Sequence, residues 1–101
     1  MYTIKNHPLV EKDLKELDHS IRLLVFKKLL KLKESPEIGL PLGNKNNLDL
    51  TGMYKIYVAK KKVRIVYEIL NGELIVHVIA IGKRDEMEVY QKASKRRENL
   101  E

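Results

Sequence analysis

The sequence predicts a single α+β domain with the element order β-α-α-β-β-β-α. Three observations predict it. Apolar residues recur at helical spacing between Leu9 and Ser35, three segments between Met53 and Ile81 are rich in Val, Ile and Tyr, and Asn71-Gly72 separates the last two of these as a hairpin turn. The chain has 101 residues, 44% of them apolar, enough for one modest core.

Tyr2 to Lys5 alternates apolar and polar residues and ends at His7-Pro8, as a first strand whose exit proline opens a helix. Val10, Leu14 and Leu17 then recur among Glu11, Lys12, Asp13, Lys15 and Glu16, the pattern of an amphipathic helix. Asp18-His19-Ser20 breaks it, with Ser20 as N-cap of a second helix that runs to Ser35 before Pro36. That helix has two apolar stripes, Ile21, Val25, Leu29 and Leu32 on one side and Leu23, Phe26 and Leu30 on the other, as for a helix pressed between a sheet and its neighbour helix. Glu37 to Asn47, with Gly39, Pro41 and Gly43, reads as a loop. Met53 to Ala59, Lys62 to Leu70 and Leu74 to Ile81 are the three strands. After Gly82-Lys83-Arg84, Asp85 and Glu88 form a D-x-x-E capping pattern, and a last helix carries Val89, Tyr90 and Ala93 into Lys95-Arg96-Arg97.

Twenty Lys and Arg against fourteen Asp and Glu leave a formal charge of +6, which favours nucleic acid or an acidic protein as partner. The chain has no Cys, which excludes disulfides, thiolate nucleophiles and Cys-based zinc sites and fits a reducing compartment. No apolar run approaches the roughly 18 residues of a membrane span, and the N-terminus lacks signal-peptide order. The expectation is a soluble cytoplasmic protein with no membrane partner.

Gly52 to Ile69 carries five cationic side chains and one anionic one on what reads as sheet. Strand alternation sends Tyr54, Ile56, Val58, Val63, Ile65, Tyr67 and Ile69 to one face, over the helical hairpin, and Lys55, Tyr57, Arg64, Val66 and Glu68 to the other. A two-residue turn at Lys60-Lys61 would put Tyr57 beside Arg64 and Lys55 beside Val66. A two-residue turn at Asn71-Gly72 would pair Leu70 with Glu73, Val66 with His77 and Arg64 with Ile79. The pattern builds a basic surface with the Tyr90 phenol at its rim.

These residues carry a resemblance. The stretches GMYKIYV, VRIVYEI and IVHVIAIGKRDEMEVY resemble the strand and C-terminal motifs of the RelE family of toxins from toxin-antitoxin pairs, most specifically in the G-K-R-x-x-x-x-V-Y run from Gly82 to Tyr90. Length and element order match as well. The resemblance implies a RelE-like α+β fold, with a mainly antiparallel four-stranded sheet, a helical hairpin on one face and a C-terminal helix near the other. It implies a ribosome-dependent endoribonuclease that cuts mRNA in the decoding site without metal or other cofactor. Partners would be the ribosome, mRNA and a cognate acidic antitoxin, with operator DNA bound only through the antitoxin complex.

Lys55, Arg64, Arg84 and Tyr90 match functional positions of that family. The pattern commonly has a second basic residue two positions after the first lysine, where this chain has Tyr57. Cleavage by the adjacent 2′-hydroxyl needs a proton acceptor, stabilisation of a phosphorane and protonation of the departing 5′-oxygen. Arg64 and Arg84 suit the phosphorane through bidentate hydrogen bonds. Lys55 could serve as base if neighbouring cations depress its pKa, and His77 is the other candidate. Tyr90 could stack on a base or donate a proton. Tyr57 and His77 are thus accessory candidates, and Lys60, Lys61, Lys62, Lys83, Arg96 and Arg97 are candidate RNA-backbone contacts. Two other functions share this sequence pattern: a ParE-like inhibitor of DNA gyrase, and an RNA-binding module without nuclease chemistry.

Overall fold

The computed structural model describes residues 1–45, 48–83 and 88–98. Its elements are β1 (Thr3–Asn6), α1 (Val10–Lys15), α2 (His19–Glu34), β2 (Leu40–Pro41), β3 (Asn44–Lys45), β4 (Leu48–Asp49), β5 (Met53–Val58), β6 (Val63–Leu70), β7 (Ile75–Lys83) and α3 (Glu88–Glu98). The main sheet has the order β1-β7-β6-β5-β2, and β3 and β4 form a separate hairpin. All its pairings are antiparallel except that of β1 with β7.

The expected four-stranded core is present, with a short fifth strand at its edge. Leu40 and Pro41 lie in the segment read as a loop, yet they pair with Lys55 and Tyr54. An edge tolerates proline because the missing N–H faces no neighbour. Gly39 just before it is required by close approach: its N–H donates to the Tyr67 hydroxyl at 3.0 Å, and a Cβ there would overlap that hydroxyl. Tyr67 in turn donates to the Pro36 carbonyl at 2.7 Å, and burial pushes its pKa up to about 12.

Alternation divides the core as expected. Val58, Val63, Ile65, Tyr67, Val76 and Val78 pack against Val10, Leu17, Val25, Leu29 and Leu32 of the helical hairpin. On the other face Met53, Val66, Ile79 and Ala80 pack against Val89, Tyr90 and Ala93 of α3. The second stripe of α2 departs from expectation: Leu23, Phe26 and Leu30 are exposed. A helix six residues long, α1 is too short to cover a second face of its sixteen-residue neighbour. Asp18, with extended φ and ψ, takes the N-cap position in place of Ser20, and the Asp85 capping pattern lies outside the described residues.

Register was legible at one hairpin and misread at the other. Tyr57 faces Arg64 and Lys55 faces Val66, across a loop that spans Ala59 to Lys62. In the next hairpin Leu70 faces Ile75, not Glu73, because Asn71–Glu73 forms a 3-10 turn and Leu74 adopts a left-handed conformation with φ of 55°. A bulge opposite Val66 and Tyr67 then adds one more residue to β7 and turns both Ile79 and Ala80 toward α3. Val66 consequently faces Ala80, Arg64 faces Gly82, and His77 faces Glu68. At Gly82 a Cβ would stand 3.1 Å from that of Val89, so the glycine lets α3 sit close against β7.

One ion pair ties the two helical layers together across the edge of β7 that lies beyond the end of β1. The Asp13 carboxylate is buried and accepts from Arg96 Nη1 at 2.6 Å, Arg96 Nη2 at 2.9 Å and the Ile81 N–H at 3.0 Å. Arg96 also donates to the Ile79 carbonyl at 2.9 Å, and Lys92 Nζ lies 3.6 Å from Asp13. Asp13 sits three residues after Val10 and four before Leu17, on the apolar side of α1, which is the sequence signal for its burial.

Candidate active site

The α3 face of β5 and β6 projects Lys55, Tyr57 and Arg64 from adjacent positions, because alternate residues share a face and Tyr57 is cross-strand partner to Arg64. Lys55 Nζ donates to the Tyr57 hydroxyl at 3.2 Å and lies 5.2 Å from the ring centroid. Arg64 Cζ is 5.5 Å from the Tyr57 centroid and 4.9 Å from that of Tyr90, so the guanidinium is held by two aromatic rings. Lys61 Nζ completes the group, 5.6 Å from the Tyr57 centroid. Cations over ring faces gain from the ring quadrupole, and a planar guanidinium fits such a slot better than an ammonium.

The loop that carries Lys61 is held in an uncommon conformation, with Ala59, Lys60 and Lys61 at φ of 56°, 56° and 72°. Such runs in non-glycine residues store backbone strain, and the Lys62 N–H to Ala59 carbonyl hydrogen bond at 3.1 Å helps close the turn. Lys60, Lys61, Lys62 and Lys83 line a cavity of about 410 Å³ beside the α1–α2 corner. A second groove, of about 440 Å³, lies between α2 and this loop; Lys27, Lys28, Lys31, Lys60, Lys61 and Tyr57 line it. The α2 lysines were absent from the sequence reading. Their spacing of one and three residues on one helix was the available signal.

Four of the expected placements change. Tyr90 does not stand at the rim: it is 1% exposed, its ring lies against Arg64 and it packs in the α3 core. His77 is outside the cluster, because the longer turn and the bulge move it beside Glu68, whose Oε1 lies 3.2 Å from its Nδ1. Arg96 does not lie on the open basic surface. It is 7% exposed, and its guanidinium is held by Asp13 and the Ile79 carbonyl. Arg97 donates to the Thr51 carbonyl at 2.6 Å and to that of Asp49 at 3.3 Å, which braces the β4–β5 connection and commits its charge. Arg84 lies outside the described residues.

Burial holds the His7 imidazole below its ordinary pKa, assisted by the nearby Arg96 and His77 and opposed by Asp13. Its Nδ1 accepts from the Leu9 N–H at 3.1 Å, so it shapes the β1–α1 junction. Among the described residues no group of three or more His, Asp or Glu side chains could hold a metal ion, and no helix is long and apolar enough to cross a membrane.

A family described as the ParE toxin of the type II toxin-antitoxin system parDE matches residues 4–88. The mRNA interferase toxin RelE of Escherichia coli K12 is 38% identical over 88 residues, covering 84% of this chain and 85% of the relative. The structure of free E. coli RelE carrying two arginine-to-alanine substitutions superposes with a TM-score of 0.74 at 29% identity, covering 94% of this chain and 96% of that one. A chain of the intact E. coli RelBE toxin-antitoxin complex matches with a TM-score of 0.65 at 26% identity, over 85% of this chain and all of the other (100%). With a family match across most of its length and a relative at this identity, the chain belongs to the RelE family of toxins, within the RelE/ParE superfamily of type II toxin-antitoxin systems.

Proposed function

We propose that this toxin is an endoribonuclease that cleaves mRNA in the decoding site of the ribosome, by attack of a 2′-hydroxyl on the adjacent phosphate. The observation that carries the reading is the Arg64 guanidinium, held between Tyr57 and Tyr90 beside Lys55 on one sheet face. A planar donor fixed in this way can give two hydrogen bonds to the equatorial oxygens of a phosphorane without first reorganising. Arg84, at the family's other arginine position, would supply the second such donor. Lys55 adds charge beside them, and Lys60, Lys61, Lys62 and Lys83 would track the RNA backbone. The chemistry requires no metal. The name mRNA interferase, carried by the E. coli relative, supports the reaction class.

The described cluster lacks a close pair of strong acid and base, so the ribosome is needed to bend the mRNA into line for attack. Purified toxin incubated with ribosomes that hold a codon in the decoding site should cut within that codon and leave a 2′,3′-cyclic phosphate or its 3′-phosphate product. Free RNA should survive; rapid cutting of naked RNA would refute ribosome dependence.

In the resting cell we infer a cognate acidic antitoxin as partner, in keeping with the crystallised RelBE complex, and action in the cytoplasm, with operator DNA reached only through that complex. The match to the ParE family description favours a second reading, binding to DNA gyrase without cleavage. Induction in cells separates them, since the nuclease leaves cut transcripts and the gyrase poison leaves broken DNA.

A further inference from the structure

The arrangement around Tyr57 is asymmetric in one chemical respect. Lys55, Lys61 and Arg64, in their charged forms, are hydrogen-bond donors with no lone pair to accept a proton. The phenol oxygens of Tyr57 and Tyr90 are the acceptors of the described cluster, and Tyr90 is buried. Tyr57 is partly exposed and borders the open groove beside α2. His77, the other candidate base, is at Glu68.

We propose that Tyr57 is the proton acceptor of the cleavage, a catalytic residue whose phenolate oxygen takes the proton of the attacking 2′-hydroxyl. This rests on the nuclease reading above. As that proton moves to Tyr57, the 2′-oxygen bonds to phosphorus and the bond from phosphorus to the 5′-oxygen breaks. The 5′-oxygen leaves with the bonding pair and takes a proton from solvent. The products are a 2′,3′-cyclic phosphate and a 5′-hydroxyl, and the phenol returns its proton to water.

The groups that face Tyr57 favour its ionised form. Lys55 approaches along β5, Arg64 from β6 and Lys61 from the loop, and Lys60 and the lysines of α2 border the same groove. Tyr90 of α3 stands on the far side of Arg64. Among the described residues no carboxylate lines that groove. The hydrogen bond from Lys55, joined by the charges of Lys55 and Arg64, holds the phenol below the usual tyrosine range despite some opposition from burial. An ammonium pointed at the oxygen thus plays a different part from the base expected of Lys55: it stabilises the phenolate that does the work.

Two measurements test this. In single-turnover cleavage on programmed ribosomes between about pH 6 and about pH 9, the wild-type rate should rise with pH, and Tyr57→Phe should lose both that rise and roughly 10²- to 10⁴-fold in rate. In the near-ultraviolet tyrosinate titration of the protein alone, one of the five tyrosines should ionise early, should vanish from the early phase in Tyr57→Phe and should move upward in Lys55→Met. Equal rates and pH profiles for wild type and Tyr57→Phe would overturn the inference and leave the nuclease reading standing. Absence of the early tyrosine from the wild-type titration would overturn it even if Tyr57→Phe fails to fold. A wild type that leaves mRNA intact on the ribosome would remove the nuclease reading, and the inference with it.

Discussion

Removing Arg96 tests whether the basic end of the chain is structural or binds RNA. In Arg96→Ala the Asp13 carboxylate, whose side chain is 1% exposed, loses two hydrogen bonds of 2.6 and 2.9 Å, and the Ile79 carbonyl loses its donor. Breaking a buried pair from one side costs about 3 to 5 kcal/mol, because the remaining charge stays desolvated. Lys92, 3.6 Å from Asp13, can turn toward it, and the Ile81 N–H remains. The expected loss is therefore at the low end, about 3 kcal/mol, or a fall in Tm of about 12 to 24 °C for a domain of this size. The double variant Asp13→Leu/Arg96→Met removes both charges and should recover much of this. It should stop about 1 to 2 kcal/mol short of wild type, because the Ile81 N–H and Ile79 carbonyl are left without partners. Urea unfolding of the single and double variants, with m-values compared, reads the cycle. If Arg96→Ala unfolds within about 0.5 kcal/mol of wild type and binds RNA more weakly, Arg96 is a surface contact and the reasoning fails.

Arg64→Ala should lower single-turnover cleavage by about 10²- to 10³-fold and cost only about 1 kcal/mol of stability, from the packing it loses over Tyr57 and Tyr90. Arg64→Lys should restore little, since an ammonium cannot fill the slot between Tyr57 and Tyr90 as a plane does, and equal loss of stability and activity would make Arg64 structural. His77→Phe should leave cleavage intact, because His77 lies beside Glu68; loss comparable to that of Arg64→Ala would return the imidazole to the site. Gly39→Ala should destabilise the fold by about 1 to 3 kcal/mol, because its Cβ overlaps the Tyr67 hydroxyl; a Gly39→Ala/Tyr67→Phe pair should be less than additive in denaturant unfolding. His7 has a folded pKa below its unfolded value of about 6.5, so the unfolded chain binds the extra proton first. Its contribution should be fully present above pH ~6.5 and lost as pH falls through the folded pKa; His7→Gln should flatten that part of the stability curve.

Strand alternation is a local rule, and the sequence alone therefore determined which side chains share the α3 face. Lys55, Tyr57 and Arg64 needed only the period of two and a closed β5–β6 hairpin to be brought together. One side of the helical hairpin was equally legible, since Val10, Leu17, Val25, Leu29 and Leu32 mark it by spacing, but spacing did not show that Leu23, Phe26 and Leu30 stay exposed. Register along β7 is different in kind, because it accumulates every residue inserted between two strands. The 3-10 turn moved the partner of Leu70 from Glu73 to Ile75, and the bulge carried the partner of Val66 on from His77 to Ala80. Neither insertion changes the composition of the strands, so His77 could be assigned to the site from sequence and still lie outside it. Long-range pairing was hidden for a similar reason. Asp13 and Arg96 are 83 residues apart; the place of Asp13 on the apolar side of α1 signals its burial, but nothing in the sequence names its partner. Only the docking of α1 and α3 at the β7 edge, beyond the end of β1, brings the two together, out of water, where a lone charge would be costly. The same packing settles Tyr90: its motif position marks it as functional, but the docking of α3 on Val66, Ile79 and Ala80 decides that its ring lies buried against Arg64 instead of at the rim.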